Sequence, residues 1–173
     1  VATPDLDGPR TGLMAVPFQP TPAKMQVVLA AVAEHPWWFN TPASPEERAV
    51  AAATLLADPF NRVWEVWRGG KFVGLLILWR IQPGVDAVFH FIFFDQNLIG
   101  KRALILGFLG HLFADPDLGL RRVSMEIPTF KLALLSFARR KLGFTFEGEA
   151  EVRKLVVQHG LRVKDPYRAN HKE

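Results

Sequence analysis

Two side chains in this 173-residue chain sit where proton transfer could be performed. His90 lies inside the run 85–94, VDAVFHFIFF, where strand alternation turns it away from Phe89 and Phe91. Glu126 alternates with Met125 and Ile127 at the end of a second β-rich run. An imidazole and a carboxylate are the groups that most often accept a proton from a reacting nucleophile. Each also has an ordinary reading: His90 as a hydrogen-bonded sheet histidine, Glu126 as a surface or helix-paired carboxylate. His35, His90 and His111 have no metal-ligand spacing, and the sequence holds no cysteine, which excludes disulfides, thiolate metal sites and a cysteine nucleophile. No Gly-x-Ser-x-Gly, Walker-type or Rossmann-type glycine pattern occurs. Trp37, Trp38, Trp64, Trp67 and Trp79 could stack on nucleobases. Alternation sends Trp64 and Trp67 to different faces, so core and edge packing explains them better.

The elements that carry these residues are legible from local signals. The first 22 residues hold five prolines, at 4, 9, 17, 20 and 22, and read as an extended arm. Within it Gly12 to Pro17 is a candidate edge strand, where proline is tolerated. Residues 23–34 have the helical spacing Met25, Val28, Leu29, Val32, with Pro22 at the start. Ser44-Pro45-Glu46-Glu47 is a helix start: a serine cap, a proline in the first turn, and carboxylates at the positive end of the dipole. Asn61 to Trp67 and Phe72 to Trp79 are strands joined by Gly69-Gly70, a hairpin signature. The turn Gln82-Pro83-Gly84 leads to the strand with His90. A helix over 103–113, a strand over 121–127, a helix over 131–142 and a strand over 144–146 follow. Val152 to Val157 and Leu161 to Val163 would close the chain as a hairpin. At the end of the fourth helix Lys141 complements the dipole, Gly143 supplies positive φ, and Phe144 restarts a buried strand.

The implied fold class is α+β: a mixed, mostly antiparallel central sheet flanked by helices in a single domain, without the strict alternation of a doubly wound fold. The domain covers residues 23–165, after the arm at 1–22 and before a polar tail at 166–173. Hydrophobic residues make up 49% of the chain, yet no apolar run reaches the roughly 18–20 residues that span a bilayer. No basic segment followed by a long apolar one opens the sequence, so no secretory signal is expected. The net charge of +4 suits an anionic ligand or a nucleic-acid neighbour, and equally a solvated basic surface.

The order of elements, with the segment Lys141-Leu142-Gly143-Phe144 and then Glu147-Gly148, resembles the GCN5-related N-acetyltransferase (GNAT) fold. Val152-Arg153-Lys154, Gly160 and Asp165 make it most similar to the branch that acetylates ribosomal-protein N-termini. The resemblance implies an acyl-CoA-dependent N-acyltransferase using acetyl-CoA and an amine substrate, with His90 and Glu126 as the candidate bases beside the open notch of the sheet. It places the thioester against backbone N–H groups at Ile92–Phe94, and the pyrophosphate at Asn97, Ile99, Gly100, Lys101, Arg102 and Ala103. There successive amides and a helix N-terminus would meet the phosphates. The family pattern Gln/Arg-x-x-Gly-x-Gly/Ala, aligned on Gly100, puts Asn97 first and Arg102 at the last small position. Arg102 would either fill the phosphate path or clamp phosphate with its guanidinium. Positions that carry Asn and Tyr in many relatives hold Leu132 and Arg139, and the chain's one tyrosine is Tyr167. These departures open a second reading, a binding or structural protein that keeps the scaffold without the chemistry, in a phage virion or another assembly of like or unlike subunits. The expected location is cytoplasmic for the first reading and the virion for the second. A nucleic-acid-modifying relative of the fold is a third, weaker reading.

Overall fold

The structure, a computed structural model, describes residues 12–35, 44–128, 130–149 and 152–158. The start of the proline-rich arm, the aromatic run at 36–39, the closing strand expected at 161–163 and Tyr167 lie outside the described residues. The elements run β1 (Leu13–Pro17), α1 (Pro22–Glu34), α2 (Pro45–Ala57), β2 (Arg62–Arg68), β3 (Lys71–Gln82), β4 (Asp86–Phe93), α3 (Lys101–Ala114), β5 (Arg122–Pro128), α4 (Leu132–Arg140), β6 (Thr145–Glu149) and β7 (Val152–Gln158).

Local chemistry sets most boundaries. Thr21 caps α1 by accepting from the Lys24 N–H, and Pro22 occupies the first turn, where its missing donor costs nothing. Ser44 and Glu47 form a full capping box at α2. Gly69 and Gly70 both take positive φ, the geometry that turns β2 into β3 with the strands' own twist. Gly143 takes φ 79° past the end of α4, as expected, and the Phe144 N–H turns back to the Ala138 carbonyl.

One seven-stranded sheet carries everything, in the order β1-β2-β3-β4-β5-β7-β6. The segment at 13–17 is its edge strand, with Leu13 and Ala15 buried. All neighbours are antiparallel except β4 and β5. The last hairpin among the described residues is β6 with β7, and β7 is the strand that pairs with β5. On one face α3 and α4 cover a large core that includes Leu76, Leu78, Phe89, Phe108 and Met125. On the other, α1 and α2 cover a smaller one with Leu75, Ile77 and Ile92. Alternation along β4 therefore sends Phe89, Phe91 and Phe93 to the first face, and Ile92 and Phe94 to the second. Trp64 packs edge-on against Phe108 in the larger core, whereas Trp67 lies on the opposite face and donates its indole N–H to Glu65.

Glu65 is a buried carboxylate fully supplied with donors: the Gln19 N–H, the Lys24 ammonium and the Trp67 indole. It ties the segment between β1 and α1 to the second strand, as a buried charge requires.

The parallel pair β4–β5 is the feature that positions a site. It is joined only at Asp86↔Arg122, Ala87↔Val123 and Val88↔Ser124, after which the strands diverge. On its other side β4 stays paired to β3 as far as Phe93. Contact there is close: a Cβ on Gly74 would lie 2.5 Å from the Ile92 carbonyl oxygen, so only glycine fits.

Candidate functional site

His90 and Glu126 each lie two residues past the last paired residues of the diverging strands, Val88 and Ser124. Both face the side of the sheet covered by α1 and α2. His90 pairs across β3 with Ile77 of the smaller core, and Glu126 alternates with Met125 and Ile127, which point into the larger one. A cleft of about 1090 Å³ opens between this face and the α2 end, and His90, Glu126, Trp79 and Arg80 all line it. The structure thus brings the two expected proton acceptors to opposite arms of one V.

The open edge of β4 supplies the second component. The Ile92 carbonyl points toward Gly74 on β3, and the Phe94 N–H donates to the Val73 carbonyl at 2.8 Å. Amides in an antiparallel strand alternate in direction. The expectation of donors at Ile92–Phe94 is therefore corrected: Ile92 and Phe94 turn their backbone groups to β3, and the N–H groups aimed into the gap are those of Phe91 and Phe93. On the α4 side the gap is flanked by Phe91 and Phe137, with ring centroids 6.3 Å apart.

The third component is the loop that leads into α3. Gly100 sits at the helix N-cap with φ 79° and no side-chain cap. The Lys101 N–H turns back to the Leu98 carbonyl, which leaves the following first-turn amides, at Arg102 and Ala103, pointing out of the helix end. The helix starts two residues earlier than its apolar periodicity suggests, because Gly100 rather than a capping side chain sets the boundary.

The basic residues of this loop are placed differently from their reading in sequence. Lys101 is not solvated: it is 6% exposed, with its ammonium 2.8 Å from both the carboxylate and the carbonyl of Asp95 and stacked over Phe93. It braces the loop from below and offers no charge to a ligand. Arg102 is exposed, and its Nε–H donates to the Lys141 carbonyl at 3.0 Å, linking the start of α3 to the end of α4. Asn97 accepts the Ile99 N–H through its side chain, and Ile99 is largely exposed. Arg68, which sequence reasoning missed, holds this loop through Asp95 and the carbonyls of Asn97 and Ile99. No local signal marks it, because it lies 29 and 31 residues away from those two carbonyls. On α4, Leu132 and Arg139 are exposed, as is Ser136. No group of metal-ligating side chains occurs among the described residues.

No protein-family model matches this chain, and no curated protein matches it. Solved structures do. The spermidine N-acetyltransferase of Vibrio cholerae, in complex with CoA and spermine, superposes with a TM-score of 0.68 at 17% identity, over 86% of this chain and 96% of the other. This chain has the GNAT fold. The GNAT domain of S. lividans PAT gives 0.66 at 17% identity over 85% of this chain and 90% of that domain. The Campylobacter jejuni N-acetyltransferase PseH gives 0.63 at 11% over 86% and 99%. At such identities the likeness concerns the fold, which agrees with the α+β class and the sheet opening expected from sequence. Among the described residues no helix is long and apolar enough to cross a membrane.

Proposed function

We propose that this protein is an acyl-CoA-dependent N-acyltransferase acting at the V between β4 and β5. The observation that carries the reading is the placement of His90 and Glu126, one on each arm of the V, facing a cleft that reaches the gap from the other side of the sheet. The fold neighbours support it: one is an N-acetyltransferase solved with CoA and a polyamine.

The described residues fit such a ligand. The edge of β4 beyond Val88 is unpaired on its β5 side, and the α3 N-terminus presents amides at its mouth. Acyl-CoA supplies an electrophilic thioester. The Phe91 and Phe93 amides would orient its carbonyl and stabilise charge on that oxygen. The first-turn amides at Arg102 and Ala103, behind the left-handed Gly100, would meet the phosphates. The amine would enter from the α2 side, and His90, with Glu126 opposite, would take its proton as it attacks. No tyrosine stands at Arg139 to protonate the departing thiolate, so water would serve.

Calorimetric titration with acetyl-CoA tests this directly. Gly100→Asp is expected to weaken binding far more than Arg139→Ala, because it adds bulk and negative charge at the helix entrance and forces an aspartate into φ 79°. Equal affinities for wild type and Gly100→Asp would place the site elsewhere.

The Arg102–Lys141 link favours the second reading, a scaffold without turnover, because it joins α3 to α4 across the approach to the gap. Arg102→Gly separates the two. If the side chain obstructs the phosphate path, which the link favours, its removal raises acetyl-CoA affinity. A loss of about 1.5–3 kcal/mol, the worth of a charged hydrogen bond, would instead make Arg102 a phosphate clamp.

A further inference from the structure

We infer that Arg80 is an acceptor-recognition residue, and that the amine taken by this cleft carries an oxyanion, a carboxylate or a phosphate. The inference rests on the acyltransferase reading of the same cleft and adds the class of its second substrate.

Three observations place Arg80. It is the one non-glycine residue with positive φ among the described residues, at 48°. It sits in a β-bulge, where β3 advances from Trp79 to Gln82 while β4 advances only from Val88 to Asp86. Without that extra residue, Arg80 would follow Leu76 and Leu78 into the larger core. The bulge re-aims it into the cleft on the other face, while Ile81 packs against the core. A long side chain held in a left-handed conformation is strained, and such strain persists where the surroundings impose it, often at a binding site.

Once in the cleft, the guanidinium is pre-positioned. It lies 4.2 Å from the Trp79 ring centroid, and one Nη1–H reaches Glu126 at 3.2 Å. The side chain remains 60% exposed. A guanidinium has five N–H donors in a planar fork, and Glu126 engages one of them. Arg80 lines the cleft, and the donors that remain on a guanidinium fork can bind carboxylate or phosphate with two parallel bonds. Trp79 holds the plane of the fork, so little freedom is lost when the anion arrives. Glu126, beside it, is left to meet the ammonium end of the same small molecule. A polyamine, with cations at every position, would instead find Arg80 a repulsive neighbour.

The test is direct binding to the apo protein, read by calorimetry without acyl-CoA, so that failure of the cofactor site does not affect it. The probes are γ-aminobutyrate, phosphoethanolamine, butylamine and spermidine. At least one of the two oxyanion-bearing amines should bind wild type at least tenfold more tightly than butylamine or spermidine, and Arg80→Met should erase that difference. Arg80→Gly, which removes the strained side chain, should erase it too while raising the melting temperature. That pairing of lost binding with gained stability separates recognition from a structural role. The inference is overturned if spermidine binds best, if no probe binds, if Arg80→Met leaves the preference intact, or if Arg80→Gly lowers the melting temperature.

Discussion

Replacing His90 with glutamine is expected to lower the rate of amine acylation by roughly 10²–10⁴-fold, the usual contribution of a positioned general base. Glutamine keeps the size and polarity of the position but cannot take the proton. Of the two groups on the V, the imidazole is the better placed for this work. Glu126 already has an oxygen engaged by the Arg80 guanidinium, and breaking that contact would cost part of what the proton transfer gains. An imidazole is also the side chain whose ordinary titration lies nearest neutrality. Glu126→Gln should therefore cost less than His90→Gln. Release of free CoA thiol measures the rate. Acetyl-CoA affinity should stay unchanged in both variants, because neither side chain lies on the β4 edge or at the α3 start. Rates within threefold of wild type in both single variants would remove these residues from the chemistry.

How much of this was legible before the structure depends on the range of the interaction. Ser44 with Glu47, Gly69 with Gly70, and Gly143 before Phe144 are local devices, and each acts where the residue types say it should. The gap between β4 and β5 followed from the resemblance carried by the order of elements and the Leu-Gly-Phe turn. Alternation alone correctly turned His90 away from Phe89 and Phe91. Long-range contacts stayed hidden. Nothing near Lys101 announces that Asp95 will draw its ammonium inward, and nothing near Arg68 announces the loop it braces. Arg80 stayed hidden for a sharper reason. Simple alternation assigns it to the core with Leu78, and only a bulge, which no glycine or proline at that position signals, reverses its face. Physical rules with a period of two fail where an extra residue is inserted, and that is where this cleft acquires its cation.

The largest loss of stability is expected from Phe108→Ala, at about 3–5 kcal/mol. Phe108 is fully buried on the face of α3 that meets the sheet. Its ring lies 4.7 Å from that of Trp64 on β2 and 5.5 Å from that of Phe89 on β4, so one side chain fixes the helix to two strands at once. Truncation removes both aromatic contacts and leaves a void between rigid neighbours that cannot close over it. Denaturant unfolding should show a lower midpoint with an unchanged slope. Phe60→Ala is the matched control: at 85% exposure it should change stability by no more than about 0.5 kcal/mol. The Phe108 substitution also tests how the site is held. The α3 N-terminus can present its amides to phosphate only while the helix keeps its place over β4, and Phe108 holds it there through Phe89, whose ring neighbours Phe91 on the gap's aromatic flank. Acetyl-CoA affinity should therefore fall in Phe108→Ala under conditions where the protein is still folded, although the ring itself lies in the core. Unchanged affinity at native conditions would mean that Gly100, Arg68 and the Lys101–Asp95 pair hold the loop without help from the core.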